Sequence, residues 1–232
     1  MCGRFGLAAT AQELFQHFGL DEILDISPRY NIAPGQSIYG VLQDPHTGTR
    51  SLHALQWGLI PSWAKDPKPI INARAETLTE KPTFRTALRQ RRCLIPADGF
   101  YEWQGRGKSK QPFHIGLKEG SLFAFAGLWE TWKSPAGSVI DSCAIITTAP
   151  NQLMAGIHDR MPVIVDPSNY EVWLDPTLQD PARVVPLLQT YPAAEMVAYP
   201  VSNRVNNAKH EDPLCREFIS LEKSSYDSYF AR

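Results

Sequence analysis

Apolar and polar side chains alternate along short stretches through most of the chain, and this period of two predicts β-strands. Segments that contain glycine or proline, namely DPHTGT, GRGKSK and SPAGS, separate neighbouring stretches and predict turns. The predicted strands are SIYGVLQ, SLHALQWG, RCLIPA, FYEWQ, PFHIGL, LFAFAGLWE, SCAIITT and MVAYPV. Short strands joined by short turns favour a mainly antiparallel sheet.

Four segments predict short helices among these strands. In the first, Thr10 and Glu13 form a capping box, Leu14 and Phe18 follow at helical spacing, and Gly19 ends the helix. The other three are KPTFRTALRQRR, PSNYEVWL and DPARVVPLL, and the last two carry proline at an early position. We therefore predict an α+β fold: one domain on a curved, mainly antiparallel, barrel-like sheet with flanking short helices.

Composition is ordinary for a globular protein, with 43% hydrophobic and 20% charged residues in a chain of 232. The first stretch has no secretory pattern, and no apolar run is long enough to cross a bilayer. We expect a cytoplasmic protein without a membrane partner.

Charge is distributed unevenly although the net charge is −1. Residues 1–112 hold 14 Lys and Arg against 10 Asp and Glu, whereas residues 113–232 hold 9 against 14. The basic half includes TFRTALRQRRC and GRGKSK. These basic residues could form a face that meets phosphates, or only a solvated helix face and a polar turn.

The four cysteines, Cys2, Cys93, Cys143 and Cys215, are widely separated and form no CxxC pair, which argues against a zinc or redox motif. We predict no metal and no cofactor. The last three fit buried small apolar residues. Cys2 fits either an ordinary second residue or, once Met1 is removed, an N-terminus with adjacent amine and thiol.

Polar groups in apolar surroundings mark four candidate stretches: CGRF, INARAET, CLIPADGFYEW and GIHDRMPVI. Glu102 lies between Tyr101 and Trp103, so it is either a desolvated carboxylate with a raised pKa or an exposed strand residue. His158 is either a residue that carries chemistry or a structural or surface histidine. Asn72 offers a donor and an acceptor, but buried asparagines are also common in turns.

Seven motifs occur in one order: MCGR, NIAPG, WGLIPSWAKD, INARAET, CLIPADGFYEW, IHDRMPVI and PVSNRVNN. Together they resemble the SOS response-associated peptidase (SRAP) family, which shields abasic sites in DNA. The resemblance covers Cys2 to about Cys215. It implies one SRAP domain over residues 1–232, with a core at about 2–215 and a short tail at 216–232.

The resemblance implies a covalent chemistry at the N-terminus. Met1 is removed, the amine of Cys2 forms a Schiff base with the ring-opened abasic sugar, and the thiol closes a thiazolidine. Asn72 would position this terminus and the sugar, Glu102 would act as acid and base, and His158 would assist proton transfer and reversal of the crosslink. Weak lyase activity through the Schiff base would accompany it.

The family also implies contacts with single-stranded DNA and with single-strand/duplex junctions that contain abasic sites. A protein bound to DNA in this way would be associated with the nucleoid. Arg4, Arg74 and Arg160 would hold phosphates together with Asn72 near the lesion, and Trp63 would stack near a junction. Some relatives have two adjacent tryptophans where this chain has Ser62-Trp63. We assign no role to His210 and Glu211, which stand where an Asn-Asp pair is frequent, and we expect a monomer.

Two other functions remain open at this stage. A thiol, a free amine, Glu102 and His158 could serve an N-terminal-nucleophile hydrolase or peptidase, including removal of its own Met1, although no oxyanion hole is recognisable. Alternatively, the arginines and Trp63 could bind single-stranded DNA without covalent chemistry.

Overall fold

The computed structural model describes residues 2–105 and 110–221, and within them the predicted α+β class is confirmed. Met1, the predicted turn residues 106–109 and the tail residues 222–232 lie outside the described part. The strands are β1 (Phe5–Leu7), β2 (Arg29–Ile32), β3 (Ser37–Gln43), β4 (Arg50–Trp57), β5 (Asn72–Arg74), β6 (Arg92–Ala97), β7 (Gly99–Gln104), β8 (Gln111–Leu117), β9 (Phe123–Lys133), β10 (Val139–Thr148), β11 (Met161–Pro162), β12 (Ile164–Val165) and β13 (Met196–Pro200). The α-helices are α1 (Ala11–Phe18), α2 (Pro82–Gln90), α3 (Gln152–Ala155), α4 (Tyr170–Leu174) and α5 (Pro181–Val184).

Five strands close into a barrel in the order β10, β4, β3, β6 and β9, with β9 pairing back onto β10. The β10–β4 contact is parallel and the other four contacts are antiparallel. Closure satisfies the backbone hydrogen bonds at what would otherwise be exposed sheet edges. The short strands β5 and β11 both pair with β10 beyond the barrel, so they bring two separate chain segments to its end.

A second, antiparallel sheet has the order β13, β8, β7, β1 and β2 and packs one face against the barrel. Phe5 of β1 contacts Trp57 and Phe125 with ring centroids 5.2 and 5.7 Å apart, and Phe100 contacts Phe125 at 5.9 Å. Alternation along β7 puts Glu102 on the same face as Phe100. The pattern therefore directs a carboxylate toward the space between the two sheets.

The predicted first helix is confirmed together with its ends. The Thr10 hydroxyl accepts a hydrogen bond from the Glu13 amide, and the Glu13 carboxylate accepts one from the Thr10 amide. Gly19 has φ of 61°, a left-handed conformation that glycine adopts without steric cost. Leu14 and Phe18 are buried on the inner side of the helix.

The basic helix predicted over residues 81–92 is shorter than expected, because α2 ends at Gln90. Arg92 is buried in β6, and its guanidinium donates to the carbonyls of Leu88, Arg89, Trp173 and Asp175. Arg91 forms an ion pair with Glu130 at 2.7 Å. Carbonyls at a helix end need donors, and Arg92 supplies them. Arg85 and Arg89 remain exposed on the helix.

Two other predicted helices are also shorter, and five strands were not predicted. Residues 167–169 and 185–187 form 3₁₀ turns beside α4 and α5, and Pro186 has no amide hydrogen to continue α5. The strands that were not predicted, β1, β2, β5, β11 and β12, have two to four residues each. Such lengths are too short for a readable alternation.

The C-terminal segment (residues 201–216) covers the outer face of the second sheet, and hydrogen bonds from Asn31 hold it there. Asn31 is fully buried, and its side-chain nitrogen lies 2.8–3.3 Å from the carbonyl oxygens of Val205, Asn207 and His210. Its side-chain oxygen accepts a hydrogen bond from Arg4 at 2.8 Å. One buried amide thus joins the N-terminal segment to the C-terminal one.

We predict that Asn31→Ala lowers the free energy of unfolding by roughly 2–4 kcal/mol, because it leaves several buried polar groups without partners. Urea unfolding of the full chain measures this. Asn203→Ala, an exposed change in the same segment, should shift stability by less than about 0.5 kcal/mol. Equal losses in the two variants would contradict the role given to Asn31.

Candidate functional site

Four predicted residues meet where the N-terminal segment passes the ends of β5 and β7. The Asn72 side-chain nitrogen, on β5, donates to the carbonyl oxygen of Cys2 at 2.8 Å. His158, in the loop between α3 and β11, has its Nε2 atom 3.8 Å from Oε2 of Glu102 on β7. Cys2 is completely buried, and the negative charge of the Glu102 carboxylate raises the pKa of its thiol. The structure brings these four together from distant parts of the chain.

Glu102 is buried, with 3% of its surface exposed, which decides between the two environments considered from sequence. Burial raises the pKa of its carboxyl group, and the positive charge that His158 can carry opposes that rise. A carboxyl group with a raised pKa can accept and return a proton closer to neutral pH. Glu102 therefore has the environment of an acid/base group.

Burial also raises the pKa of the Cys2 thiol, and the nearby Glu102 carboxylate raises it further. The thiol is therefore protonated at neutral pH. Asn72 leaves its side-chain oxygen buried without a hydrogen-bond partner among the described residues. An acceptor is thus available beside Cys2 for a donor that the described residues do not supply.

His158 connects Glu102 with the surface. Its Nδ1 atom accepts a hydrogen bond from the Arg160 amide at 3.1 Å and lies 2.8 Å from the Asp159 carboxylate. A quarter of its side chain is exposed. The ring therefore reaches the surface, and its Nε2 atom faces Glu102.

The three predicted phosphate-binding arginines have different environments. Arg74 is exposed, and within the described residues its side chain has no ion pair. Arg4 donates to Asn31 and to the carbonyl of Val205 and lies over the Trp103 ring. Arg160 forms two hydrogen bonds with the carboxylate of Glu76. Arg74 is thus the most accessible of the three.

Trp63 has 65% of its surface exposed, which is unusual for so large an apolar side chain. Its neighbours on both sides are fixed to β9. The Ser62 hydroxyl donates to Glu130 at 3.4 Å, and the Trp132 indole nitrogen donates to the Ala64 carbonyl at 2.7 Å. The indole is therefore presented outward from an anchored turn.

The family model for SOS response associated peptidase (SRAP) matches residues 1–208. The chain belongs to the SRAP family. It is 49% identical over 220 residues to the abasic site processing protein YoqW of Bacillus subtilis, covering 92% of this chain and 97% of that one. It is 34% identical to the abasic site processing protein HMCES of Xenopus tropicalis, covering 84% of this chain and 67% of that one.

Solved structures agree with this family assignment at the level of the fold. A crystal structure of a protein from Bacteroides thetaiotaomicron superposes with a TM-score of 0.82 at 26% identity, covering 94% of this chain and 100% of that one. A further relative, found by sequence and not by structure, is the abasic site processing protein YedK of Escherichia coli. It is 31% identical over 91% of this chain and 96% of its own length. The resemblance inferred from seven motifs is confirmed.

Sequence reasoning missed a network in this SRAP chain that joins Asn31 and Glu211 to Arg4 and Arg29. The carboxylate of Glu211, which had no assigned role, accepts hydrogen bonds from the backbone amide of Asn31 at 2.6 Å and from the Arg29 side chain at 2.8 Å. Asn31 itself lies in the NIAPG motif. Partners this far apart in sequence leave no local pattern by which they could be found.

Residues 2–105 and 110–221 contain neither a metal-binding cluster nor a membrane-spanning helix. No group of three or more His, Cys, Asp or Glu side chains there is arranged to hold a metal ion. In the same ranges, no helix is both long and apolar enough to cross a bilayer.

We predict that Glu102→Gln stabilises the SRAP chain at neutral pH. The folded carboxyl has a raised pKa, so folding is penalised progressively as pH rises from the ordinary value of 4.5 through the folded value. Glutamine does not carry this penalty, and the difference should shrink toward pH 4. Urea unfolding of the parent and the variant at pH 7.5 and at pH 4 measures this difference in stability.

Glu13→Gln is the matched control, because hydrogen bonds from Thr10 lower the pKa of that carboxyl group. The change in the free energy of unfolding should have the opposite sign in this variant. Glu13→Gln should be less stable than the parent at neutral pH, and this loss of stability should disappear in acid. If Glu102→Gln were also less stable at pH 7.5, the desolvation argument for Glu102 would fail.

Proposed function

We propose that this SRAP chain processes abasic sites in single-stranded DNA by forming a covalent crosslink through Cys2 after Met1 is removed. One observation carries the proposal: Asn72 holds the Cys2 carbonyl beside a buried carboxylate, Glu102, that a histidine contacts. The relatives named abasic site processing proteins supply the substrate class.

The proposed reaction begins at the ring-opened abasic deoxyribose. The α-amine of Cys2 adds to the C1 aldehyde, and loss of one water gives an imine. The thiol sulfur then bonds to that carbon while the imine nitrogen gains a proton, which closes a thiazolidine. The product has the mass of protein plus DNA minus one water.

The amine, rather than the thiol, is the first nucleophile in this proposal. An α-amine has a pKa of about 7.7–8.0, so a useful fraction is neutral at cellular pH. Burial raises the pKa of the thiol, which makes the thiol the weaker candidate for the first attack. Once the imine has formed, the thiol acts on an atom held next to it, where the effective concentration is very high.

Glu102 and His158 would move the protons that this sequence requires. Glu102 takes a proton from the incoming amine and returns it to the departing hydroxyl. His158, which faces Glu102 and reaches solvent, assists proton transfer in the imine and in reversal of the crosslink. The same imine could eliminate the 3′ phosphate, which would appear as weak lyase activity.

DNA would be held by Arg4, Arg74, Arg160 and Asn72 near the lesion and by Trp63 farther out. The exposure of Trp63 and Arg74 supports stacking and phosphate contact. Binding should weaken as salt rises, because phosphate contacts release counterions. We further propose that the chain acts as a monomer and accepts single-strand/duplex junctions.

The protonated thiol also bears on the hydrolase alternative. A cysteine hydrolase needs a thiolate, which is usually obtained by a lowered thiol pKa. Here burial and Glu102 act in the opposite direction. Burial of Cys2 thus favours condensation with an aldehyde over acyl transfer.

We predict that the untagged protein, once processed to begin at Cys2, forms a heat-stable adduct with an oligonucleotide that has one abasic site. Intact mass should equal protein plus DNA minus one water. Cys2→Ala should abolish this stable adduct and leave binding to intact single-stranded DNA within about twofold, because phosphate contacts dominate that affinity.

Either of two outcomes would overturn the crosslinking proposal. A correctly processed protein that gives no adduct would favour hydrolysis or simple DNA binding. A Cys2→Ala variant with an undiminished stable adduct would require another nucleophile. Mass spectrometry of the protein alone first establishes which N-terminus is present.

We predict that Trp63→Ala weakens binding to single-stranded DNA by about 1–3 kcal/mol, the usual loss of one stacked base. Trp63→Phe should recover much of this affinity, because phenylalanine retains an aromatic face. Fluorescence anisotropy with a labelled oligonucleotide measures both. Unchanged affinity in Trp63→Ala would remove this residue from the interface.

A further inference from the structure

The guanidinium of Arg160 joins three neighbouring segments at the end of the barrel. Arg160 stands directly before β11, and its Nη2 atom donates to the carbonyl oxygen of Thr147 on β10 at 2.6 Å. Its two terminal nitrogens also donate to the two carboxylate oxygens of Glu76, at 2.7 and 3.0 Å. Glu76 lies in the 3₁₀ turn directly after β5. One side chain thus spans β11, β10 and the end of β5.

These three segments carry two parts of the proposed reaction centre. Asn72, on β5, holds the Cys2 carbonyl. His158 precedes Arg160 by two residues, and its Nδ1 atom accepts the Arg160 amide hydrogen. The β5 and β11 segments touch β10 on its two sides, with Thr147 opposite both Arg74 and Pro162. The Arg160–Glu76 pair is therefore a direct side-chain link between the Asn72 segment and the His158 segment.

Glu76 is needed to satisfy this guanidinium. Only 16% of the Arg160 side chain is exposed, and its Nε atom is buried without a partner within the described residues. Thr147 and Glu76 supply every side-chain hydrogen bond of Arg160 that the described residues show. Bidentate pairs of this kind fix orientation as well as adding energy, unlike most surface ion pairs.

We propose that Glu76 is a positioning residue for the crosslinking reaction. Through Arg160 it fixes the strand that holds Cys2 relative to the loop that carries His158. The inference rests on the proposed function for its chemistry, and it concerns a residue outside the group formed by Cys2, Asn72, Glu102 and His158. Its effect should appear in the rate of crosslinking and not in the affinity for intact DNA.

The test compares Glu76→Gln with Glu80→Gln. Glu80 is exposed in the segment that follows and lies outside the hydrogen-bond network of Arg160, so its change removes the same charge without breaking the link. The single-turnover rate of adduct formation is measured at saturating abasic oligonucleotide. Affinity for the matched intact oligonucleotide is measured over a range of salt concentrations.

We expect Glu76→Gln to slow crosslinking about tenfold, since small displacements of reacting groups are costly. Its affinity and salt slope should match those of Glu80→Gln. The charge-exchanged double variant, Glu76→Arg with Arg160→Glu, should recover part of the rate lost in either single variant. Thermal unfolding of each variant shows whether the rate change follows stability.

Two results would overturn the proposal. If Glu76→Gln binds intact DNA more tightly than Glu80→Gln and crosslinks at the parent rate, Glu76 merely competes with phosphate for Arg160. If the two variants are equal in rate and affinity, Glu76 has no positioning role. A phosphate contact made by Arg160 itself is tested with a separate variant, Arg160→Gln. Loss of that contact should lower the slope of log affinity against log salt concentration by about one.

Failure of the proposed function is distinguishable from failure of this inference. A parent protein that forms no adduct refutes the crosslinking function. The positioning claim is then decided by the side-chain amide signal of Asn72 in an NMR spectrum of the full chain. That signal should move in Glu76→Gln and stay in Glu80→Gln, and an unmoved signal in both would refute the claim.

Discussion

The pairing of β1 between β7 and β2 is the constraint on which the site depends. Chain ends are usually loosely held, but here the N-terminal strand is an inner strand of a sheet. The backbone amide of Tyr101 donates a hydrogen bond to the Arg4 carbonyl, and Phe5 packs against Trp57. These contacts hold the chain in place up to the residues beside Cys2. A residue that would ordinarily be free is thereby buried at a fixed place, within reach of Asn72.

This arrangement buries Glu102, and that burial lowers the stability of the fold near neutral pH. A carboxylate between two sheets loses hydration, and that loss opposes the charged state and folding near neutral pH. The same loss makes the group a better proton acceptor at that pH. The nearby His158, whose Nε2 atom is 3.8 Å from the carboxylate, opposes part of the rise in the Glu102 pKa. Stability and chemistry act in opposite directions at this residue, as is common in active sites.

Arginine residues illustrate how tertiary contacts divide one residue type among several roles. Arg92 closes a helix end, Arg91 pairs with Glu130, and Arg4 and Arg160 hold distant segments together. Arg74, Arg85 and Arg89 remain exposed and keep their charge available to a polyanion. Counting basic residues along the chain therefore overestimates the surface that can meet phosphates. The division follows from which carbonyls and carboxylates each side chain reaches.

Local sequence by itself determined the capped first helix, eight of the strands and the burial of Cys93, Cys143 and Cys215, because capping, alternation and polarity act over a few residues. The ordered motifs determined the family. The tertiary structure decided that Glu102 is buried, that Asn72 meets Cys2 across 70 residues, and that Arg160 meets Glu76 across 84. Contacts of such separation depend on strand order and register, and these are set by how both sheets bury their apolar faces together.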